Sequence, residues 1–138
     1  MRGGALPVEL ENRRVGVGPL TPGIRDVDMS YAVRDEGGYA IVMLTGEVDL
    51  SCSPDARATI LACLNDARHV LVDLSNVDYI DSSGVASLVE GYQTAKKNKL
   101  RFGLVGVSDA AMNVLKLARL DKVFPIHADV AERVRADG

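Results

Sequence analysis

Long apolar runs are missing from this 138-residue sequence, and the segment 40–44 is among the longest. A bilayer-spanning helix needs roughly 20 apolar residues, so no such helix is predicted, and nothing near Met1 has the apolar segment of a secretory signal. Cysteine is also scarce: Cys52 and Cys63 are the only two, without metal-ligand spacing. We therefore expect both thiols to be reduced and structural, in a cytoplasmic protein.

Histidine is equally scarce, and this argues against a serine hydrolase. A catalytic serine needs a base within hydrogen-bond reach. His69 begins a predicted strand whose far end leads to Ser83, and His127 follows a predicted edge strand. The serine pair before Gly84 also lacks the Gly-x-Ser-x-Gly pattern of a nucleophile elbow. We predict that the chain is not an enzyme.

Signals for a metal, a nucleotide or a nucleic acid are absent as well. The acidic residues Asp73, Asp78 and Asp81 do not follow a calcium-loop pattern, and the segment 103–106 lacks the lysine of a P-loop. The net charge of −3 offers no basic footprint for nucleic acid. No cofactor and no metal are predicted.

The composition is that of one soluble globular domain, with 47% hydrophobic and 25% charged residues. Residues 1–28 differ from the rest because glycine and proline interrupt any periodic pattern there. We predict a flexible N-terminal arm over residues 1–28 and a single compact domain over residues 29–138.

Within that domain, strands give way to alternating helices and strands. A hairpin of strands 31–34 and 39–44 is predicted around the turn 35–38, with the second strand ending at Thr45-Gly46. There follow a helix capped by Ser53 with Pro54 at its first position, strand 69–74, a second helix, strand 100–107, a helix capped at Ser108-Asp109, edge strand 123–126 and helix 128–135. This order predicts an α/β fold with a mixed β-sheet of about four to five strands and helices mainly on one face.

The stretch 70–90 carries the main functional signal. Asn76, Asp78 and Asp81 favour turns, which predicts a short acidic loop after the strand. Ser82 and Ser83 supply N-cap chemistry for the second helix, and Gly84 has no side chain to keep another molecule away. A serine is thereby predicted at an exposed helix start, where the helix dipole favours negative charge.

The segment Asp81-Ser-Ser-Gly-Val85 resembles the phosphorylation loop of STAS domains, and most of all that of bacterial anti-sigma factor antagonists. The segments Leu44-Thr-Gly-Glu-Val-Asp49 and Phe102-Gly-Leu-Val-Gly-Val107 extend the resemblance, which covers roughly residues 30 to 135. One departure is Ala86, where many relatives have a second glycine.

The resemblance implies a switchable binding module with Ser83 as the phosphorylated residue. Its partner would be an anti-sigma factor that is also a serine kinase, and a serine phosphatase would reset the switch. The unphosphorylated chain would sequester the partner and free a sigma factor, while ATP and magnesium would belong to the kinase. The expected partner-binding residues are Asp78, Asp81, Ser82, Ser83, Gly84, Val85, Ala86 and Ser87.

The sequence also allows a second interpretation of the function. Similar STAS domains are small cytoplasmic subunits of lipid-transport ABC systems, which dock on an ATPase and need no phosphorylation. Neighbouring genes for a kinase and a phosphatase would favour the first reading, whereas a permease and an ATPase would favour the second.

Overall fold

The computed structural model describes residues 29–137, so the predicted arm and Gly138 lie outside the described residues. The elements in this range are β1 Met29–Glu36, β2 Tyr39–Val48, α1 Ser53–Asn65, β3 His69–Ile80, α2 Ser82–Lys97, β4 Phe102–Val105, α3 Asp109–Leu117, β5 Ile126–His127 and α4 Val130–Asp137. Strands and helices alternate after the first hairpin, as predicted.

The five strands form one mixed sheet in the order β1-β2-β3-β4-β5. Strand β1 pairs antiparallel with β2, and the remaining neighbours pair parallel. The hairpin turns at Gly37 and Gly38, whose φ angles of 62° and 86° suit glycine and a two-residue turn. The predicted mixed sheet is confirmed, and β3 lies at its centre.

Each face of the sheet has its own apolar core, because successive strand residues point to opposite sides. The larger core joins Val42 and Val72 to buried residues of α1, α2 and α3, such as Ile60, Leu88 and Leu115. The smaller core, on the other face, consists of Tyr39, Ile41, Leu71, Val105 and Val130 of α4. Three of the helices described thus share one face, as predicted. Among residues 29–137, no helix has the length and apolar character needed to cross a membrane.

The predicted acidic loop after Leu74 is wrong, because β3 continues to Ile80. Strand β2 is also longer than expected and ends at Val48 rather than at Gly46. The two strands pair along this extension, with register shifts on either side of Thr45 and Gly46. Val77 and Ile80 are buried, so pairing and burial outweigh the turn preference of Asn76 and Asp78.

Other boundaries differ by a few residues. Helix α1 starts at Ser53 and its N-cap is Cys52, one residue before the predicted cap. Strand β5 is short and begins at Ile126, because Phe124 still belongs to a turn in which its N–H donates to the carbonyl oxygen of Leu120. The strand lies at the sheet edge, as predicted.

Candidate functional site

The junction between β3 and α2 consists of a single residue, Asp81. Its backbone is extended (φ −103°, ψ −173°), and its side chain accepts hydrogen bonds from the backbone N–H groups of Ser83 and Gly84, at 2.9 and 3.1 Å. Asp81 is therefore the N-cap of α2, and the prediction that Ser82 and Ser83 are the caps is wrong. A carboxylate one position earlier already satisfies the free N–H groups, so both serines lie in the first helical turn.

The second carboxylate oxygen of Asp81 binds the loop between β2 and α1. It accepts a hydrogen bond from the backbone N–H of Leu50 at 3.1 Å. The hydrogen bond from the Ser83 hydroxyl lowers the pKa of Asp81 most, and the backbone N–H groups of Gly84, Ser83 and Leu50 lower it further. Asp81 is consequently a carboxylate at neutral pH, and it joins both loops at this end of the sheet.

The Ser83 hydroxyl is hydrogen-bonded on both sides. It donates to Asp81 Oδ1 at 2.6 Å and accepts from the Ser53 hydroxyl at 3.1 Å. Ser53 is the first residue of α1 and is only 4% exposed, while Ser83 is half-buried. The starts of two helices thus meet at the oxygen of one serine.

Ser87 completes this junction one turn further along α2. Its hydroxyl lies 3.1 Å from the carbonyl oxygen of Ser83 and 3.4 Å from that of Ser53, and it donates to both. The sequence indicated Ser53 only as a helix cap. Its contact with Ser83 had no signal in the spacing, because 30 residues and a whole strand separate the two.

Gly84 faces the interior, which corrects the expectation that it leaves room for another molecule. It is buried, and a Cβ atom at this position would lie 2.6 Å from Ile80 Cγ1 and 2.8 Å from the carbonyl oxygen of Val48. The glycine is needed so that the first turn of α2 can pack directly against the ends of β2 and β3.

The predicted partner-binding residues divide by exposure. Asp78, Ser82 and Ala86 are exposed, Asp81 and Ser83 are partly buried, and Gly84, Val85 and Ser87 are buried. Gly84 has no side chain, and the side chains of Val85 and Ser87 are covered by the rest of the fold in this conformation. Two exposed apolar residues that the sequence did not indicate lie beside the junction: Leu50, 73% exposed, and Tyr79, 49% exposed.

Neither histidine contacts Ser83. The Nδ1 atom of His69 accepts a hydrogen bond from the backbone N–H of Arg101 at the opposite end of β3, and that of His127 lies 3.8 Å from Glu132. The hydrogen-bond partners of the serine are a carboxylate and a second hydroxyl. This arrangement differs from the serine–histidine pair that activates a hydrolase nucleophile.

Cys63 lies apart from this junction, whereas Cys52 is the N-cap of α1 and directly precedes Ser53. Cys63 is buried, and burial, with a smaller effect from the charge of Asp66, raises the pKa of its thiol to about 11. The thiol is therefore protonated at neutral pH and packs as a small apolar group. Cys52 is partly buried and, like Cys63, forms no disulfide.

A mixed five-stranded sheet with a serine in the first turn of the helix after its central strand defines a small α/β module that presents a hydroxyl group. The family model for the STAS domain matches residues 30–133. The chain belongs to the STAS domain family, as its sequence motifs predicted.

Similar proteins are known from sequence and from structure. The anti-sigma F factor antagonist of Paenibacillus polymyxa is 22% identical over 103 residues, which is 73% of this chain and 88% of the relative. The crystal structure of an anti-sigma factor antagonist from Mycobacterium paratuberculosis is 28% identical, with a TM-score of 0.69 over 78% of this chain and 92% of that one. An anti-sigma-factor antagonist (STAS) domain protein from Planctomyces limnophilus is 25% identical, with a TM-score of 0.69 over 77% of this chain and 96% of that one.

Proposed function

We propose that this chain is an anti-sigma factor antagonist whose binding is switched by phosphorylation of Ser83. Unphosphorylated, it binds an anti-sigma factor that is also a serine kinase, and a sigma factor is thereby released for transcription. The kinase supplies ATP and magnesium, and a serine phosphatase restores the hydroxyl. The names of the relatives at 22–28% identity support the partner class.

The observation that carries the proposal is the position of the Ser83 hydroxyl. It lies in the first turn of α2, half-buried, between exposed Ser82 and exposed Ala86. The 16-residue helix directs the positive end of its dipole toward this position, which favours an added anion there. A phosphate on Ser83 is thus compatible with the fold.

The same phosphate would change the surface that a partner meets. It adds about −1.5 to −2 charges next to the carboxylate of Asp81, whose low pKa keeps it ionised. Exposed Asp78 and Glu47 make this end of the sheet still more acidic. A partner that covers Ser82, Ala86 and the apolar side chain of Leu50 would have to bury that charge, so phosphorylation weakens binding.

The first experiment identifies the partner. The unmodified chain is used as bait in an extract of its native host, and captured proteins are identified by mass spectrometry. We expect an anti-sigma factor with kinase activity, which should place phosphate on Ser83 when supplied with ATP and magnesium. Phosphate on Ser82 alone, on Ser51 or on Ser108 would contradict the assignment of Ser83.

Substitutions of Ser83 then separate a switch from a constitutive contact. Ser83→Ala should bind the captured kinase as the wild type does, because it loses the phosphate acceptor and the hydrogen bonds with Asp81 and Ser53 but adds no charge to the partner surface. Ser83→Glu should bind more weakly, although its single charge is smaller than that of phosphate. Affinities are measured by calorimetry, with melting curves as a control for folding.

Leu117→Glu is the matched control and should bind as the wild type does, since it adds the same charge at an exposed position on α3, outside the proposed partner surface. Equal affinity of wild type, Ser83→Ala and Ser83→Glu would place Ser83 outside the interface. Capture of a transport ATPase instead of a kinase would favour the lipid-transport subunit.

A further inference from the structure

The two adjacent serines at the start of α2 are held differently. Ser82 is exposed, and no hydrogen bond joins its hydroxyl to another residue in the range 29–137. The Ser83 hydroxyl has Asp81 on one side and Ser53 on the other. In the sequence, a kinase has two neighbouring hydroxyl groups that could accept phosphate. In the structure, hydrogen bonds orient only that of Ser83.

The direction of these hydrogen bonds follows from the charge of Asp81. An ionised carboxylate can only accept, so the Ser83 proton must point at Asp81 Oδ1, 2.6 Å away. The Ser53 hydroxyl donates to one lone pair of Ser83 Oγ. One lone pair of that oxygen remains free, and its direction is determined because the other bonds around the oxygen are fixed.

Ser53 is itself held firmly, although it comes from a different helix. Its backbone N–H donates to the carbonyl oxygen of Asp49 at 2.7 Å, and its carbonyl oxygen accepts from the hydroxyl of Ser87 at 3.4 Å. It is 4% exposed and therefore has little room to turn away. The hydroxyl that orients Ser83 thus has a position set by α1 and its preceding loop.

We infer that Asp81 and Ser53 form a two-point clamp that positions the Ser83 hydroxyl for phosphoryl transfer and thereby selects Ser83 over Ser82. This inference rests on the proposed function. In the transfer step, Ser83 Oγ forms a bond to the γ-phosphorus of the kinase-bound nucleoside triphosphate, and the bond from that phosphorus to the nucleoside diphosphate breaks. The hydroxyl proton passes to Asp81 and from there to water.

The test measures phosphorylation kinetics with the kinase captured by the unmodified chain, ATP and magnesium. Ser53→Ala should lower kcat roughly three- to tenfold, the value of one hydrogen bond, and leave KM for the chain unchanged because Ser53 is buried. Asp81→Asn should lower kcat roughly tenfold or more, because an amide cannot take the proton. In both variants, peptide mapping should find a larger share of phosphate on Ser82.

Ser75→Ala is the matched control. The Ser75 hydroxyl donates to Asp73 Oδ1 at 2.7 Å, two residues apart, as the Ser83 hydroxyl does to Asp81, but it lies on β3 away from the junction. Its removal should change neither kcat nor the phosphorylated site.

A measurement without the kinase complements these kinetics. Proton couplings in nuclear magnetic resonance should show one Ser83 side-chain rotamer in the wild type and averaged rotamers in Ser53→Ala.

Three outcomes would overturn the clamp, and they are distinguishable. Unchanged kcat, site ratio and rotamer in Ser53→Ala would reject it while phosphorylation of Ser83 stands. A raised KM with unchanged kcat would mean that Ser53 only supports the partner interface. An unphosphorylated wild type would reject both the clamp and the proposed switch.

Discussion

Asp81 shows how one side chain can organise a site at the scale of a single residue. One carboxylate oxygen caps α2 and accepts a hydrogen bond from the Ser83 hydroxyl. The other accepts a hydrogen bond from the backbone N–H of Leu50. A serine at this position would have one oxygen and no charge, so it could not make both sets of contacts. The carboxylate therefore couples the start of α2 to the loop before α1.

Replacing this cap should destabilise the domain in a pH-dependent way. Asp81→Ala should cost about 0.5–2 kcal/mol at neutral pH, and Asp81→Asn less, because an amide oxygen can still accept from the helix N–H groups. The folded-state pKa of Asp81 is lowered, so its charge stabilises the fold above the unfolded-state pKa of about 3.9. That stabilisation is lost as the pH falls through the lower, folded-state pKa.

Chemical denaturation across a pH series checks the expectation. The difference in unfolding free energy between wild type and Asp81→Ala should shrink as the pH falls below about 4. Ser82→Ala, which removes no titrating group, should give a difference that does not change with pH. A constant difference for Asp81→Ala as well would mean that its charge has no part in stability.

Gly84 offers a second prediction at this scale. Gly84→Ala should destabilise the domain by about 1–3 kcal/mol despite the better helix propensity of alanine, because the new Cβ would meet the Val48 carbonyl oxygen. Ala86→Gly, the reverse change at an exposed position in the same turn, should cost only about 0.5–1 kcal/mol through backbone entropy. Urea melts measure both. A stabilised Gly84→Ala would show that α2 can shift away from the sheet at little cost.

At the scale of elements, β3 and α2 connect the site to the apolar core. Val72 and Leu74 of the strand are fully buried, and Val85 and Leu88 of the helix belong to the same apolar cluster. Val89 is partly exposed but packs against this cluster. The first turn of α2 is thereby attached to the central strand of the sheet, which holds Ser83 in a fixed position.

Truncating this helical face should therefore be costly. Leu88→Ala should lower the unfolding free energy by about 2–5 kcal/mol, since Leu88 is only 1% exposed and its removal leaves a cavity. Leu117→Ala, at the end of α3 and 86% exposed, should stay within about 0.5 kcal/mol of the wild type. Denaturant melts measure the unfolding free energies of both variants. A loss below about 1 kcal/mol for Leu88→Ala would mean that this face of α2 contributes little to the core.

At the scale of the whole molecule, the described core is built by residues from Tyr39 to Val130. The sheet has α1, α2 and α3 on one face and α4 on the other. Helix α4 contributes Val130, and its Arg133 is 8% exposed and forms an ion pair with Asp137 at 3.0 Å. Both faces of the sheet are thus covered, although unequally.

This arrangement bears on the predicted arm, residues 1–28. A chain that begins at Met29 should melt within roughly 4 °C of the full chain, which for a domain of this size corresponds to less than about 1 kcal/mol. A chain that ends at Asp129 should lose far more, because it exposes the smaller core. Calorimetric scans of both truncations test the boundary. A fall of more than roughly 8 °C on removing residues 1–28 would assign those residues to the folded domain.

Local patterns in the sequence determined much of this molecule. The Gly37-Gly38 turn and the Ser108 cap of α3 act over a few residues, and the order of the elements that such signals delimit predicted a mixed sheet with its helices mainly on one face. The segment 81–85 likewise indicated the family. Such features can be read because backbone conformation and helical periodicity depend on near neighbours.

Tertiary structure decided the rest. Strand β3 runs on through Asn76 and Asp78 because β2 offers it hydrogen bonds and the core buries Val77 and Ile80. The contact between Ser53 and Ser83 exists only because two helix starts are brought together across 30 residues. Local preferences of about 1 kcal/mol are outweighed when a long-range partner provides pairing and burial together, and such partners cannot be identified from local sequence.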